Sequence, residues 1–219
     1  MRLFQSIKKK IKKSPLIVVI SSPSGTGKST ISRLLSEDHE MALILPVSVT
    51  TRQRRVSEVD GIDYHFITFK EFERLRETKE LMEWAEVHGN YYATLRGSFE
   101  KLMDEGKDVL FDIDYQGAAQ LKKRISQEIV SIFILPPSMN ELISRLKNRA
   151  EDTQRSIDLR IERSRIEMLY WNRYNYVIIN ENLSHSLKKV KAIITAERLK
   201  CSRSPWLKGF IDNLINEHV

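Results

Sequence analysis

A chain of 219 residues, 41% hydrophobic and 30% charged, is long enough for one compact α/β domain with small inserted lobes. Its longest apolar runs, Leu16 to Ile20 and Ile129 to Leu135, have strand length and fall short of the roughly 20 residues of a membrane helix. One cysteine, Cys201, excludes a disulfide framework and a multi-cysteine zinc site, and suits a reducing, cytoplasmic setting. Six of the seven excess positive charges reside in the first segment: residues 1–14 hold Arg2, Lys8, Lys9, Lys10, Lys12 and Lys13 and no acid, leaving 30 basic against 29 acidic residues elsewhere. That segment reads as a basic tail, a solvated extension or a patch touching RNA or anionic lipid. The body is nearly neutral, and no specific nucleic-acid partner or membrane span is expected.

Leu16-Ile-Val-Val-Ile20 is a continuous β-branched run, as in a central parallel strand. Ser21-Ser-Pro-Ser-Gly-Thr-Gly-Lys-Ser-Thr30 follows it and leads into a helix from Ser29 to Ser36. Between a strand and a helix, such glycines let backbone N–H groups converge on phosphate oxygens, Lys28 reaches the β/γ oxygens and the Ser29 hydroxyl ligates Mg²⁺. Ser24, Gly25, Thr26, Gly27, Lys28, Ser29 and Thr30 are the triphosphate-binding candidates, with Lys28 catalytic. Ser22 stands where the strict motif has glycine. The loop alone specifies a nucleoside triphosphate and leaves the acceptor open.

Ile44 to Val49 predicts a second strand. Residues 50–106 change texture: short strands around Tyr64 to Ile67, Leu81 to Val87 and Tyr91 to Thr94, a His88-Gly-Asn90 turn, and a Thr68/Glu71 capping box opening a helix towards Lys79. This is an inserted lobe within a core of residues 15–49 and 107–203. Asp108 to Ile113, Ile129 to Leu135 and Tyr176 to Asn180 complete a mainly parallel five-stranded sheet. Ser138 with Glu141 caps a helix towards Arg149, and the polar stretch at about 149–160 reads as a lid. Residues 204–219 form an amphipathic helix, with Ser204 as cap and Pro205 at its first position. Its apolar face, Trp206, Leu207, Phe210, Ile211, Leu214 and Ile215, is expected to bury against the body or a second subunit. The fold class is α/β: a three-layer P-loop NTPase sandwich with a mixed-strand lobe and a lid. His39, His65, His88, His185 and His218 show no metal-ligand spacing.

Ser48-Val-Thr-Thr-Arg-Gln-Arg-Arg55, Gly61-Ile-Asp-Tyr64, Glu83-Trp84, Gly89-Asn-Tyr-Tyr92 and Asp112-Ile-Asp-Tyr-Gln-Gly117 resemble guanylate kinase in order and spacing. With the phosphate loop and the arginines from Arg145 to Arg160, the resemblance spans about residues 16–200. It implies Mg²⁺-dependent, in-line transfer of a phosphoryl group from ATP to GMP or dGMP in purine nucleotide metabolism, by a monomer or homo-oligomer. It implies further that Arg52, Arg55, Tyr64 and Tyr92 hold the GMP phosphate, and that Glu83 accepts from guanine N1–H and the N2 amine. Ser48 and Thr94 donate to O6 in the same reading. Asp112, Asp114 and Gly117 adjoin GMP and the metal, with Asp112 acting on Mg²⁺ through water. Arg145, Arg149 and Arg160 clamp the phosphates, and Asn180 lies on the adenine side. Thr94 stands where the family has serine, Ala93 and Ala150 where it has glycine, and Arg155 where acids are common. Singly, the arginines read as surface charge, the tyrosines as core aromatics and Glu83 as a strand-face acid. Two rival readings are a non-catalytic guanylate-kinase-like scaffold that captures phosphopeptides and a related kinase acting on another phosphorylated ribose.

Overall fold

In the computed structural model, which describes residues 14–87, 89–125, 129–148 and 154–217, the β-branched run after Pro15 forms β1 (Ile17–Ser21), buried at every residue. It lies parallel between β7 (Asp108–Asp112) and β8 (Ile129–Leu135). Outside these, β2 (Leu43–Ile44) pairs parallel with β7, and β9 (Tyr176–Ile179) parallel with β8. Strand alternation sends Leu16, Val18 and Ile20 to one face, onto Ile31 and Leu35 of α1 (Lys28–Ser36) and Val190 and Ile194 of α7 (Leu183–Arg198). Ile17 and Val19 face the other way, onto Phe99 of α3 (Arg96–Asp104) and Ala118 and Leu121 of α4 (Tyr115–Arg124). Three layers result. The chain leaves β1 towards β2 and β7 on one side and returns to β8 and β9 on the other. The carboxyl end of β1 is therefore the switch point of the sheet, where ligands of open α/β folds bind.

The lobe is a second sheet, ordered β4 (His65–Phe66), β3 (Val49–Thr50), β6 (Asn90–Leu95), β5 (Leu81–Val87), parallel between β3 and β4 and antiparallel elsewhere. It packs Val49, Leu81 and Ala93 against Phe72 and Leu75 of α2 (Phe69–Glu77). The strand expected from Ile44 to Val49 is divided: Leu43–Ile44 joins the core sheet and Val49–Thr50 the lobe. Pro46 supplies no ladder donor, so the run cannot pair continuously, and Val49 belongs with the lobe sheet instead of the core. The N-cap half of each expected capping box forms: Thr68 accepts from the Glu71 N–H at the head of α2, and Ser138 from that of Glu141 at the head of α5 (Met139–Lys147), while the two glutamates turn to Arg74 and Arg145. Helix α6 (Gln154–Met168) includes the later part of the expected lid. The basic tail to Lys13, His88 of the expected turn, and Arg149 and Ala150 lie outside the described residues.

The carboxyl-terminal helix, α8 (Leu207–Ile215), starts after Trp206. Ser204 is not its cap, nor Pro205 its first residue; the Leu207 N–H bonds the Ser204 carbonyl, and Pro205 occupies the turn that this bond closes. The expected burial of its apolar face is only partial within the chain: Trp206, Leu207 and Phe210 are half-buried, while Ile211, Leu214 and Ile215 are 47%, 49% and 75% exposed. No described helix is long and apolar enough to cross a membrane. Deleting residues 207–219 is expected to lower the melting temperature of the dilute protein by no more than about 2–4 °C, the shift that ~1 kcal/mol produces in a chain of this size. A larger fall in a thermal melt would show that the helix is packed.

Candidate active site

The loop after β1 is shaped by two glycines in the left-handed region, Gly25 at φ +86° and Gly27 at φ +93°. A side chain at Gly27 would also press on Asn180 Nδ2, 2.8 Å from an added Cβ. Asn180, buried at the end of β9, donates to the Thr26 carbonyl at 2.7 Å and ties the loop to the sheet edge. Its Oδ1 is buried with no protein partner. Thr26 donates to the Pro23 carbonyl at 3.0 Å and Ser22 to the same oxygen at 2.9 Å, so the serine that departs from the glycine motif is satisfied locally. Lys28 is ion-paired with Asp112, which ends β7, and also approaches the Ile113 carbonyl at 3.5 Å.

Two of the three expected lid arginines meet this loop. Arg145 is held by Glu141 at 2.8 Å and donates to the Thr26 and Asn180 carbonyls at 3.4 and 3.2 Å. Arg160 donates to Ser24 Oγ at 3.3 Å. Arg149 is outside the described residues. Gly25, Gly27, Thr30, Arg145, Asn180 and Leu183 line a cavity of about 250 Å³ beside the loop. Ser29 is exposed at the head of α1. Its hydroxyl and the Asp112 carboxylate are hard oxygen donors, which suits Mg²⁺: that ion keeps several waters and needs only one or two protein oxygens beside substrate phosphates.

The other half of the site faces the loop from the lobe. Cross-strand register pairs Glu83 with Thr94, and the Thr94 hydroxyl donates to Glu83 Oε1 at 2.7 Å. Continuing the Val49–Ala93 register sets Ser48 opposite Thr94. Ala93 points to the lobe core on the opposite face, away from Glu83. Glu83 is 2% exposed, and burial pushes its carboxyl up to about 7 against the pull of the Thr94 hydroxyl. Gly117 lies against this carboxylate, where a methyl group would overlap Oε2. Asp114 caps α4, accepting from the Gln116 and Gly117 N–H groups at 3.0 Å each, while its second oxygen accepts from Gln116 Nε2 at 2.9 Å. It thereby fixes the helix that carries Gly117.

Beside the carboxylate, Arg52 donates to the Tyr92 hydroxyl at 3.3 Å and lies 5.7 Å from the centre of the Tyr64 ring. Tyr64 and Tyr92 meet edge to face at 5.8 Å. Burial pushes the Tyr64 phenol up to about 12, which keeps it a donor at neutral pH. Two acids that the sequence reading missed complete the picture. Glu58 accepts from Arg52 at 2.7 Å and from the Arg55 N–H at 2.9 Å, and the Arg52 guanidinium holds its carboxyl below the usual range. Its signal was an acid standing between an arginine pair and a glycine turn. Glu167, on α6, is pushed up to about 7 by burial and by Asp114, with one oxygen buried and unpartnered. Only its position seven residues after Arg160, on the same helical face, points to it from the sequence.

A guanylate kinase family model matches residues 14–197. Guanylate kinase of Brucella melitensis is 55% identical over 212 residues, covering 97% of this chain and 96% of that protein. The Bartonella henselae guanylate kinase is 54% identical over 214 residues, at 98% and 96% coverage. The crystal structure of guanylate kinase from Anaplasma phagocytophilum superposes with a TM-score of 0.78 at 34% identity, over 95% of this chain and 99% of that one.

The overlap at Gly117 generates a test. Gly117→Ala is expected to cost about 1–3 kcal/mol of stability by overpacking, measured by denaturant titration. Adding Glu83→Ala should return most of that loss, because the colliding carboxylate is gone. Additive losses in the double variant would refute the contact.

Proposed function

The chain belongs to the guanylate kinase family, and we propose from that premise how the two halves of the site divide the reaction ATP + GMP ⇌ ADP + GDP. On the donor side, the N–H groups of Ser24 to Thr30 surround the phosphates, and Lys28 leaves Asp112 for the β/γ oxygens as the triphosphate enters. Arg145 and Arg160, already against the loop, and Arg149 neutralise charge on the migrating group; such preorganised donors supply most of the catalysis in phosphoryl transfer. The cavity beside Asn180 receives the adenosine end. Ser29, with Asp112 acting through water, would hold Mg²⁺, which when bound would supply charge neutralisation at the phosphates.

On the acceptor side, Arg52 and Arg55 with the phenols of Tyr64 and Tyr92 take the GMP phosphate, for which guanidinium forks suit a dianion. Glu83 accepts from guanine N1–H and N2, while Ser48 and the Thr94 hydroxyl, relieved of Glu83, donate to O6. The reading is carried by one observation: a carboxylate almost fully buried on a strand face, with a threonine hydroxyl as its side-chain donor. Adenine would set its N1 lone pair against that carboxylate. The retained Lys28, Ser29 and left-handed glycines favour a kinase over a phosphopeptide scaffold. We place the enzyme in the cytoplasm, in purine nucleotide metabolism, with dGMP as an acceptor alongside GMP.

With Mg·ATP and a panel of nucleoside monophosphates, kcat/KM for GMP should exceed that for AMP by about 10⁴, as sites built to pair one hydrogen-bonding edge achieve. Equal use of the two would sink the guanine assignment. Lys28→Ala should lower kcat roughly 10²–10³-fold with the fold intact, as loss of one transition-state donor does. Near-parent activity would remove the phosphate loop from the mechanism.

Glu83 also predicts a pH dependence. In the ligand-free protein its carboxyl titrates near 7. Two guanine donors favour the ionised form, so GMP binding should release protons below pH 7, and affinity should rise as pH passes from 6 to 8. The GMP phosphate itself ionises near pH ~6, so Glu83→Gln serves as the control that retains only that titration. Identical proton release by parent and Glu83→Gln, measured calorimetrically in buffers of different ionisation enthalpy, would exclude Glu83 from base binding.

A further inference from the structure

Strand β5 is an edge of the lobe sheet, so alternate N–H and C=O groups along it turn away from β6 with no strand to receive them. One face of α4 receives them instead. Gln116, Gln120 and Arg124, each four residues apart, reach successive carbonyls of β5. Gln116 Nε2 donates to Glu86 O at 3.4 Å, Gln120 Nε2 to Trp84 O at 2.6 Å, and Arg124 to the Leu81 and Met82 oxygens at 2.7 Å each. The two periods fit: four helical residues advance about 6 Å and two strand residues about 6.7 Å, so three side chains stay in step with alternate carbonyls. Of the three, Gln120 makes a two-sided, strand-like pair. Its Oε1 also accepts the Trp84 N–H at 3.2 Å.

Trp84 follows Glu83 directly, and Gly117, three residues before Gln120 on the same helical face, leaves the space that the Glu83 carboxylate occupies. The Trp84 ring is held separately in the lobe core, 6.0 Å from Phe72 and 6.2 Å from Tyr91. Arg124 supplies an independent tie between α4 and β5, so the lobe stays attached to the helix without Gln120. What Gln120 binds from both sides is the main chain of Trp84, the residue next to Glu83.

We propose that Gln120 is a positioning residue for base recognition, which clamps both main-chain groups of Trp84 and so holds Glu83 at the depth where it meets guanine. This rests on the reading of Glu83 as the guanine acceptor. A general brace would support the lobe without bearing on which base is chosen; a positioning residue changes the choice and acts through Glu83.

The test is a double-mutant cycle read as the ratio of kcat/KM for GMP to that for AMP, in the parent, Gln120→Leu, Glu83→Gln and the double variant. Leucine keeps the volume and removes both bonds. Gln120→Leu is expected to lower the ratio roughly tenfold or more while leaving KM for ATP within about twofold, as loss of two partly buried backbone pairings implies. In the Glu83→Gln background the same change should alter the ratio less than about twofold, because the group through which it acts is already altered. A ratio unchanged in Gln120→Leu, with GMP and AMP falling alike, overturns the proposal, as do equal effects in both backgrounds. If Glu83→Gln alone leaves the ratio untouched, the guanine reading fails and the proposal with it, a case told apart by that single variant. Should Gln120→Leu not fold, Gln120→Glu goes through the same cycle with the same outcomes: it still accepts from the Trp84 N–H but sets a lone pair against the Trp84 carbonyl.

Discussion

A carboxylate taken out of water must find fixed donors or take up a proton, and the acceptor half of this molecule is arranged around that constraint. Glu83 sits against α4 with the Thr94 hydroxyl as its side-chain donor, and the space it fills exists because position 117 has no side chain. The Asp114 cap holds the start of that helix, and the β5–β6 register holds the threonine. The arrangement is costly before substrate arrives. Burial raises the Glu83 carboxyl above its unfolded value, so its favourable contribution is complete below the unfolded pKa, near ~4.5, and is lost as pH rises through about 7. At neutral pH and above, the lobe carries a charge whose best partners come with the base. A site of this kind gains selectivity from the state it disfavours when empty.

The cations proposed to take the phosphates follow the opposite logic. Lys28 rests on Asp112, Arg52 on Glu58, and Arg145 on Glu141 and two loop carbonyls. Each is part-buried and already aimed, so binding exchanges one anion for another without first ordering a long side chain. That ordering would otherwise cost about 0.5–1.5 kcal/mol for each immobilised side chain. A phosphate with nearly two charges and three acceptor oxygens competes well against a single carboxylate in partly screened surroundings. The protein acids therefore hold geometry without blocking the ligand.

What the sequence revealed and what it hid divide along physical lines. Features set within a few residues were legible: the glycine loop between strand and helix, the helix caps at Thr68 and Ser138, and the β-branched central strand. The family motifs brought Arg52, Tyr64, Glu83, Thr94 and Gly117 together, but not the reason for Gly117, which depends on a carboxylate 34 residues away. Pro46 was visible, yet its effect, sending the two ends of one apolar run into different sheets, depends on where the partner strands lie. At the carboxyl end, Ser204-Pro205 has the composition of a cap but forms a turn, since Leu207 closes back on Ser204 before the helix begins. Asp114 was read as a site acid from the end of a core strand and the family resemblance; its immediate partners are the N–H groups of the next helix. The grip of Gln116, Gln120 and Arg124 on β5 was not legible, because spacing by four says which residues share a face and nothing about what that face meets.

Helix α4 then joins the two halves. The segment from Asp112 to Arg124 begins at the partner of Lys28, caps itself at Asp114, passes under Glu83 at Gly117 and grips β5 from Gln116 to Arg124. Donor loop and base acceptor are thus referenced to one short rigid element instead of to separate loops. In-line transfer requires the attacking and receiving atoms about 3–3.5 Å apart and aligned, and small misplacement is heavily penalised. The element that makes room for the Glu83 carboxylate therefore also sets how far that carboxylate lies from the phosphate loop.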